Sequence, residues 1–211
     1  MKHKRVLIAD DHFAIRRGVR HILETKFQNL EFGEAVNSAE ALHKLKLAPW
    51  DILILDIEVP GRSGFEVLKQ IKLERIKTPV LVFSFHKEDQ VAIRALKSGA
   101  AGYLSKDAAD TELVDAIDQI LAGKKYISVS VAQQLAAQLD SPMDQDPHDA
   151  LSDREYQTLL LIASGRTVSE ISAELSLSIS TISTYRARIL EKMGMKTNAE
   201  LTSYAIRRNL V

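Results

Sequence analysis

At four places in this 211-residue chain a chemically capable side chain stands at the end of an apolar run. Asp10-Asp11 follows Val6–Ala9, Asp56 follows Ile52–Leu55, Ser84 follows Val80–Phe83, and Lys106 comes just after Gly102–Leu104. Three carboxylates brought together repel one another and raise each other's pKa unless a cation compensates. An all-oxygen set suits Mg2+, which takes one or two carboxylates and keeps several waters. A lysine and a hydroxyl beside that ion would hold an anion, and a phosphoryl group matches them best. Each residue also has a plainer role open to it. Asp56 or Asp11 could cap a helix, Ser84 could cap the fourth helix, Lys106 could be a solvated lysine, and Tyr103 could be half-buried packing.

The chemistry requires the four places to converge, and the order of elements supplies a reason. Ile52-Leu53-Ile54-Leu55 reads as a strand buried on both faces of a parallel sheet. Further strands are expected at Val6–Ala9, Leu30–Ala35, Val80–Phe83 and Gly102–Leu104. Amphipathic helical stripes lie between them: Ile15, Val19, Ile22, Leu23; Ala39, Leu42, Leu45; Val67, Leu68, Ile71; Val91, Ala92, Leu96; and Leu113, Ile117, Ile120, Leu121. Asn37 with Glu40 reads as a capping box, Gly99 as a helix end, and Pro60-Gly61 as a turn, with the next helix starting near Ser63. Strands alternating with helices predict an α/β doubly wound domain over residues 1–122, its five-stranded parallel sheet covered on both faces. In such a sheet the ligand sits outside the carboxyl ends of the strands, where all these polar residues fall.

Composition narrows the rest. Hydrophobic residues make up 45% and charged residues 27%, enough apolar mass for two domains with real cores. Lys+Arg and Asp+Glu both number 28, so net charge says nothing about partners. There is no cysteine, which excludes disulfides, thiolate metal sites and a cysteine nucleophile. The absence of an 18-residue apolar run or a signal-like N-terminus leads us to expect a soluble cytoplasmic protein without a membrane partner. Residues 123–150 read as a linker. Val131, Leu135 and Leu139 suggest a short helix there, followed by Asp140–Asp149, whose two prolines and four aspartates predict a flexible segment.

From Leu151 onward every signal is helical. Ser152 with Glu155, Thr167 with Glu170, and Thr197 with Glu200 are candidate capping boxes, while Gly165 and Gly194 sit where helices end. Four helices are expected, at 152–163, 168–175, 179–193 and 197–208. Only Ser176-Leu177-Ser178 separates the second from the third, the spacing of a helix-turn-helix. In that third helix Ile182, Ile189 and Met193 share one arc that must face a core. The opposite side presents Ser180, Ser183, Thr184, Ala187 and Glu191, flanked by Thr181, Tyr185, Arg188 and Lys192. A small polar face of this kind can enter a major groove, with the methyls of Thr184 and Ala187 suited to thymine. Arg186, Arg188, Lys192 and Lys196 could hold phosphates. An ordinary solvent face on a bundle helix would look similar.

Together, Asp10-Asp11, Asp56, Ser84 and Lys106, with Tyr103 three residues before the lysine, resemble the flavodoxin-like receiver domain of two-component response regulators over residues 4–122. Residues 151–211 resemble the LuxR-type helix-turn-helix of the NarL/FixJ branch. The resemblance is carried by Leu151-Ser-Asp-Arg-Glu155, Leu160–Gly165, Ile171–Leu175, Ser178–Tyr185, Arg188–Gly194 and Asn198–Leu201. The resemblance implies that Asp56 accepts a phosphoryl group from a sensor histidine kinase. Asp10, Asp11, Asp56 and the Glu58 carbonyl would bind Mg2+, Ser84 and Lys106 would engage phosphoryl oxygens, and Tyr103 would be an aromatic switch turning towards the core. It further implies promoter DNA and RNA polymerase as partners and a homodimer on activation. In that dimer the last helix, with Leu201, Tyr204 and Ala205 on one side, would pair the DNA-binding domains.

Three departures bear on this. Lys106 is followed by Asp107 rather than proline, so a trans peptide or an adjusted loop is expected. Glu58 and His86 stand where the family sets phosphoryl lifetime. Ser180 stands where lysine is frequent, which removes a phosphate contact and makes joint action of two domains necessary. Two rivals stay open at this point. Asp56 could be the nucleophile of a phosphatase, although Asp56-Ile-Glu-Val-Pro60 lacks the second aspartate and the threonine expected there. DNA binding could also proceed without phosphate control.

Overall fold

A computed structural model describes residues 4–85, 89–140, 146–208 and 210–211, with the side chains of all but 89, 90, 134, 135 and 137–140. His86, residues 141–145 and the side chains of Leu135 and Leu139 therefore lie outside the described residues. The chain divides into two units, residues 1–136 and 137–211.

In the first unit β1 (Lys4–Ala9), β2 (Leu30–Ala35), β3 (Ile52–Leu55), β4 (Val80–Ser84) and β5 (Gly102–Ser105) form one parallel sheet in the order β2-β1-β3-β4-β5. The winding reverses between β1 and β3, which opens a crevice at their carboxyl ends. Ala9 pairs with Leu55 in register, so Asp10 and Asp56 leave adjacent strands at the same level. Side chains alternate between the two faces. Val6, Ile8, Ile52, Ile54, Leu81 and Phe83 pack against α1 (Phe13–Lys26) and α5 (Ala109–Leu121). Leu7, Leu53, Leu55, Val80, Val82 and Tyr103 point to the other face, under α2 (Ser38–Leu47), α3 (Gly64–Leu73) and α4 (Asp89–Lys97). Burial of all four residues of β3 is why its sequence is an unbroken apolar run.

The local signals mostly hold, with instructive exceptions. Asn37 caps α2 by accepting the Glu40 N–H at 2.8 Å, but Glu40 turns its carboxylate to the Val36 N–H and the Asn37 amide, so only half a capping box forms. A complete box, not foreseen, closes the start of α3 between Ser63 and Glu66. Residues 124–127 do not leave the domain as a linker would. The Tyr126 N–H donates to Ala101 O at 3.0 Å and the Tyr103 N–H donates to Tyr126 O at 3.3 Å. These bonds satisfy the outer edge of β5 before α6 (Val129–Asp140) begins, as an open sheet edge requires.

In the second unit α7 (Asp153–Ala163) touches α8 (Val168–Glu174), α9 (Ile179–Lys192) and α10 (Asn198–Arg207). Capping boxes form at Ser152 and Thr167, whereas at Thr197 the Glu200 carboxylate takes the Lys196 N–H instead. The end of the acidic stretch is folded, contrary to its composition. Pro147–Ala150 makes a 3-10 turn with His148 buried, its Nδ1 2.7 Å from the Tyr204 hydroxyl and its ring beside those of Tyr156 and Tyr204. Asp146 pairs with Arg208 at 2.7 Å. Counting like charges missed this because one aspartate has a distant cation and the histidine supplies apolar surface.

Gly64, the first residue of α3, has no room for a side chain. A β-carbon there would lie 2.7 Å from Ile57 Cα and 2.9 Å from the Asp56 carbonyl oxygen, both rigid backbone. Gly64→Ala is expected to cost about 1–3 kcal/mol, read as a lower denaturant midpoint at unchanged slope. A midpoint equal to wild type would show that the loop behind β3 gives way freely.

Candidate functional site

The carboxyl ends of β1, β3 and β5 bring three charged groups into contact. Asp10, Asp56 and Lys106 are buried, and Lys106 Nζ lies 2.7 Å from both Asp56 Oδ2 and Asp10 Oδ2. Asp56 Oδ1 accepts the Glu58 N–H at 3.2 Å, and Asp10 Oδ1 accepts the His12 N–H at 2.8 Å. Asp11, more open to solvent, has Oδ1 2.8 Å from His12 Nδ1. One ligand atom from each of Asp10, Asp11, His12 and Asp56 lies within 4.8 Å of the others. Ser84, the last residue of β4, is fully buried. Tyr103 pairs with Val82 in register, which sets it diagonal to Ser84 on the same face of the sheet.

Charge decides what this pocket can hold. Burial pushes the Asp56 carboxyl up to about 6, with Asp10 adding to the rise and Lys106 opposing it. Burial also works against the Lys106 charge, but Asp56 and Asp10 outweigh it and hold the ammonium above the ordinary lysine range. Three carboxylates face one ammonium, which leaves two negative charges uncompensated. Asp10 Oδ2 is buried and has no further hydrogen-bond partner beyond the ionic approach of Lys106. A hard divalent cation fits that deficit and that oxygen set. A carboxylate held in this way can act as an acceptor for an electrophilic phosphorus, with Lys106 already placed to take up added negative charge.

In the second unit Ile182, Ile189 and Met193 of α9 are buried, as their arc requires. Ser180, Ser183, Thr184, Ala187 and Arg188 are exposed, and Thr181 and Tyr185 are partly so. The Thr184 hydroxyl donates to the Ser180 carbonyl at 2.9 Å, while the Ser178 hydroxyl lies 2.8 Å from those of both Ser180 and Thr181. The turn before α9 passes through Ser176 at φ 53° and is stapled by the Ser172 hydroxyl donating to Leu177 O at 2.6 Å.

Residues 6–118 match the family model for the response regulator receiver domain, and residues 149–205 match that for bacterial regulatory proteins of the luxR family. The chain is 36% identical to response regulator UvrY of Escherichia coli K12 over 97% of this chain and 94% of that protein. It is 38% identical to response regulator GacA of Pseudomonas protegens over 98% and 97%. The structure of Salmonella enterica serovar Typhimurium RcsB bound to promoter DNA with the phosphomimetic BeF3- aligns with a TM-score of 0.60 at 28% identity, covering 96% of this chain and 98% of that one. The chain belongs to the two-component response regulators of the NarL/FixJ type. It is a phosphorylation-controlled DNA-binding regulator of transcription.

As a response regulator it shows several features that its sequence did not announce. Tyr103 is already buried, 8% exposed, so its ring needs no inward rotation to be covered. The Lys106–Asp107 peptide is trans, as expected, and the 3-10 turn that it opens, capped by the Ser105 hydroxyl, is the part not foreseen. Phe85, half exposed just beyond Ser84, lies with its ring 4.8 Å from Lys106 Nζ. Arg16 is buried against the backbone of Asp10 and Asp11. Ile179, 55% exposed at the start of α9, offers a methyl-bearing surface beside the polar face. One assignment needs correcting, and a second residue has a competing partner. Leu201, Tyr204 and Ala205 are buried in the core of their own domain, so a pairing face on α10 must use Ala199, Ser203 and the 58%-exposed Ile206 instead. Lys192 lies 2.5 Å from the buried Glu155 carboxylate, inside the capping box of α7. That bond ties the end of α9 to the start of α7 and draws the charge of Lys192 away from phosphates. Arg186 is similarly engaged, donating from Nε to Asn198 Oδ1 at 2.6 Å.

Two tests follow from the electrostatics. A carboxyl whose pKa rises from 3.8 to about 6 on folding favours the fold only while protonated, so its contribution is lost as pH climbs through 6. In magnesium-free buffer, wild type should fall behind Asp56→Asn in unfolding free energy by up to about 3 kcal/mol between pH 4 and 7. A constant difference would place that carboxyl in the ordinary range. For Glu155, burial opposes the charge, but Lys192 and the Ser152 N–H prevail and hold the carboxyl below its usual range. Lys192→Met is expected to destabilise the helical domain by about 1–2 kcal/mol while leaving the salt dependence of DNA binding intact. Arg188→Met should instead shallow the salt slope by about one unit. A shallower slope in the Lys192 variant would return that lysine to the DNA.

Proposed function

We propose that Asp56 is the residue that accepts the phosphoryl group, delivered by a sensor histidine kinase, and that the acidic pocket works with Mg2+. The observation that carries this reading is the buried Asp56 carboxylate, 2% exposed, held at 2.7 Å by a lysine from the end of β5, two strands away. Asp10, Asp11, Asp56 and the backbone carbonyl of Glu58 would hold the ion, which supplies positive charge against the incoming phosphoryl group. Asp56 forms the new P–O bond as the P–N bond to the kinase histidine breaks. Lys106 then shares its charge with the phosphoryl oxygens, and the Ser84 hydroxyl donates to one of them. Because Tyr103 sits diagonal to Ser84 on one sheet face, displacement of Ser84 repacks the tyrosine and the surface of α4, β5 and α5.

The receiver then includes the segment 124–127 along the edge of β5, and the DNA-binding domain includes the turn at Pro147–Ala150, which shortens the connection at both ends. Phosphorylation favours a homodimer, and the exposed side of α10 pairs the DNA-binding domains on a roughly two-fold-symmetric promoter site. Ser180, Thr181, Ser183, Thr184, Tyr185, Ala187 and Arg188 face the major groove, with Ile179 beside them. RNA polymerase is the further partner, and the protein works in the cytoplasm as a regulator, not an enzyme. Support for this last reading comes from the relatives, which are regulators, and from the absence among the described residues of any helix long and apolar enough to cross a membrane.

The test is phosphorylation of the whole chain by acetyl phosphate with Mg2+. Asp56→Asn should abolish labelling, dimer formation and any gain in promoter affinity together. Label that survives the substitution would move the acceptor elsewhere, and equal DNA affinity with and without donor would sever binding from phosphate.

A further inference from the structure

The acidic pair is aimed by its backbone, and one buried side chain holds that backbone from behind. Arg16, in the first turns of α1, donates from Nη1 to the carbonyl oxygen of Asp10 at 2.9 Å and of Asp11 at 3.1 Å. Its Nε donates to Glu34 Oε2 on β2 at 2.7 Å. The Arg16 side chain is 8% exposed and that of Glu34 33%. Peptide units are planar, so holding the carbonyls that follow two successive Cα atoms restrains the directions in which both side chains leave the backbone. A guanidinium suits this because its donors form a rigid fork: Nη1 serves both carbonyls while Nε serves the carboxylate, two fixed positions that the single nitrogen of a lysine does not reproduce. Glu34 has a second consequence. A buried, unpaired guanidinium behind the acidic pair would repel a divalent ion in front of it, and the ion pair with Glu34 cancels most of that field.

We propose that Arg16 is a positioning residue for the divalent-ion site: it preorganises Asp10 and Asp11, and Glu34 keeps its charge from opposing the ion. This rests on the reading of Asp10, Asp11 and Asp56 as that site. It requires no contact between Arg16 and the ion or the phosphoryl group.

The experiment uses the full chain and titrates Mg2+ by calorimetry in the absence of any phosphoryl donor. Initial rates of acetyl phosphate labelling are then followed against Mg2+ concentration. Arg16→Lys is expected to weaken Mg2+ binding by about 10-fold or more, as loss of a partner behind a metal ligand commonly does. The labelling rate at saturating Mg2+ should recover to within about twofold of wild type, the pattern of lost ion binding rather than lost chemistry. Glu34→Gln, which keeps the guanidinium and its carbonyl bonds, should weaken Mg2+ binding by about threefold or more through uncompensated charge. A purely structural part for Arg16 would lower the melting temperature and cut labelling equally at every Mg2+ concentration, with the Mg2+ dissociation constant unmoved. That result overturns the proposal. If Arg16→Lys does not fold, Glu34→Gln decides alone, and an unchanged dissociation constant there overturns it as well. Wild type that neither binds Mg2+ nor takes label would remove the site itself, a different failure from variants that bind Mg2+ as well as a competent wild type.

Discussion

One ammonium between two buried carboxylates is the interaction on which the receiver depends. Lys106 satisfies Asp10 and Asp56 at once, yet with Asp11 beside them it cannot neutralise the set. Its own residues therefore leave the pocket electrostatically unfavourable, a condition that the apolar sheet around it must support. That sheet is well suited to the task. The strands beneath the pocket are buried along nearly their whole length, and the rigid α3 backbone behind Asp56 leaves no space even for a methyl group at Gly64. A pocket already short of positive charge responds strongly to a divalent ion and, once the ion is present, tolerates a further anion. Both properties come from the same imbalance.

The path outward from that pocket is short and made of backbone. Ser84 and Tyr103 lie diagonally on one sheet face, and the Tyr103 N–H bonds to the carbonyl of Tyr126 on the far edge of β5. The segment around Tyr126 leads directly into α6. In the proposed switch, a tyrosine that is already covered would change the sheet edge by altering how it packs, not by passing from solvent to core. Such a device is sensitive to small displacements, because close-packed interiors transmit strain instead of absorbing it.

The strand ends and the recognition helix were legible in the sequence because both rest on local periodicity. Apolar runs that stop at Asp10, Asp56 and Ser84 mark the site without any tertiary information, and the arc of Ile182, Ile189 and Met193 marks the inner side of α9. What stayed hidden depends on partners far away in sequence. Arg16 reads as one more surface arginine until β2 brings Glu34 to it and the chain folds Asp10 over it. Lys192 reads as a phosphate contact until α7 presents Glu155 from 37 residues away. His148 lies in a stretch whose charge predicts disorder, and the Tyr204 hydroxyl together with the rings of Tyr156 and Tyr204 gives it a reason to be buried. The inner and outer sides of α10 were exchanged for a related reason. Its apolar residues serve their own core, and the side left for a partner is nearly all small or polar.

The pairing of cations within the helical domain sharpens the case for a dimer. Of the four basic residues on or near α9 that the sequence offers to phosphates, Lys192 is tied to Glu155 and Arg186 to Asn198. Ser180 stands where another cation could have been. Since counterion release scales with the number of phosphates neutralised, a single domain built this way grips DNA weakly at physiological salt. Weak single-site binding is an advantage in a switch. If one domain bound tightly by itself, bringing two together would change occupancy little. When each alone is too weak, the effective concentration created by pairing decides whether the promoter is occupied at all. The same ion pair that fastens α9 to its scaffold therefore also suits DNA binding to control by phosphorylation.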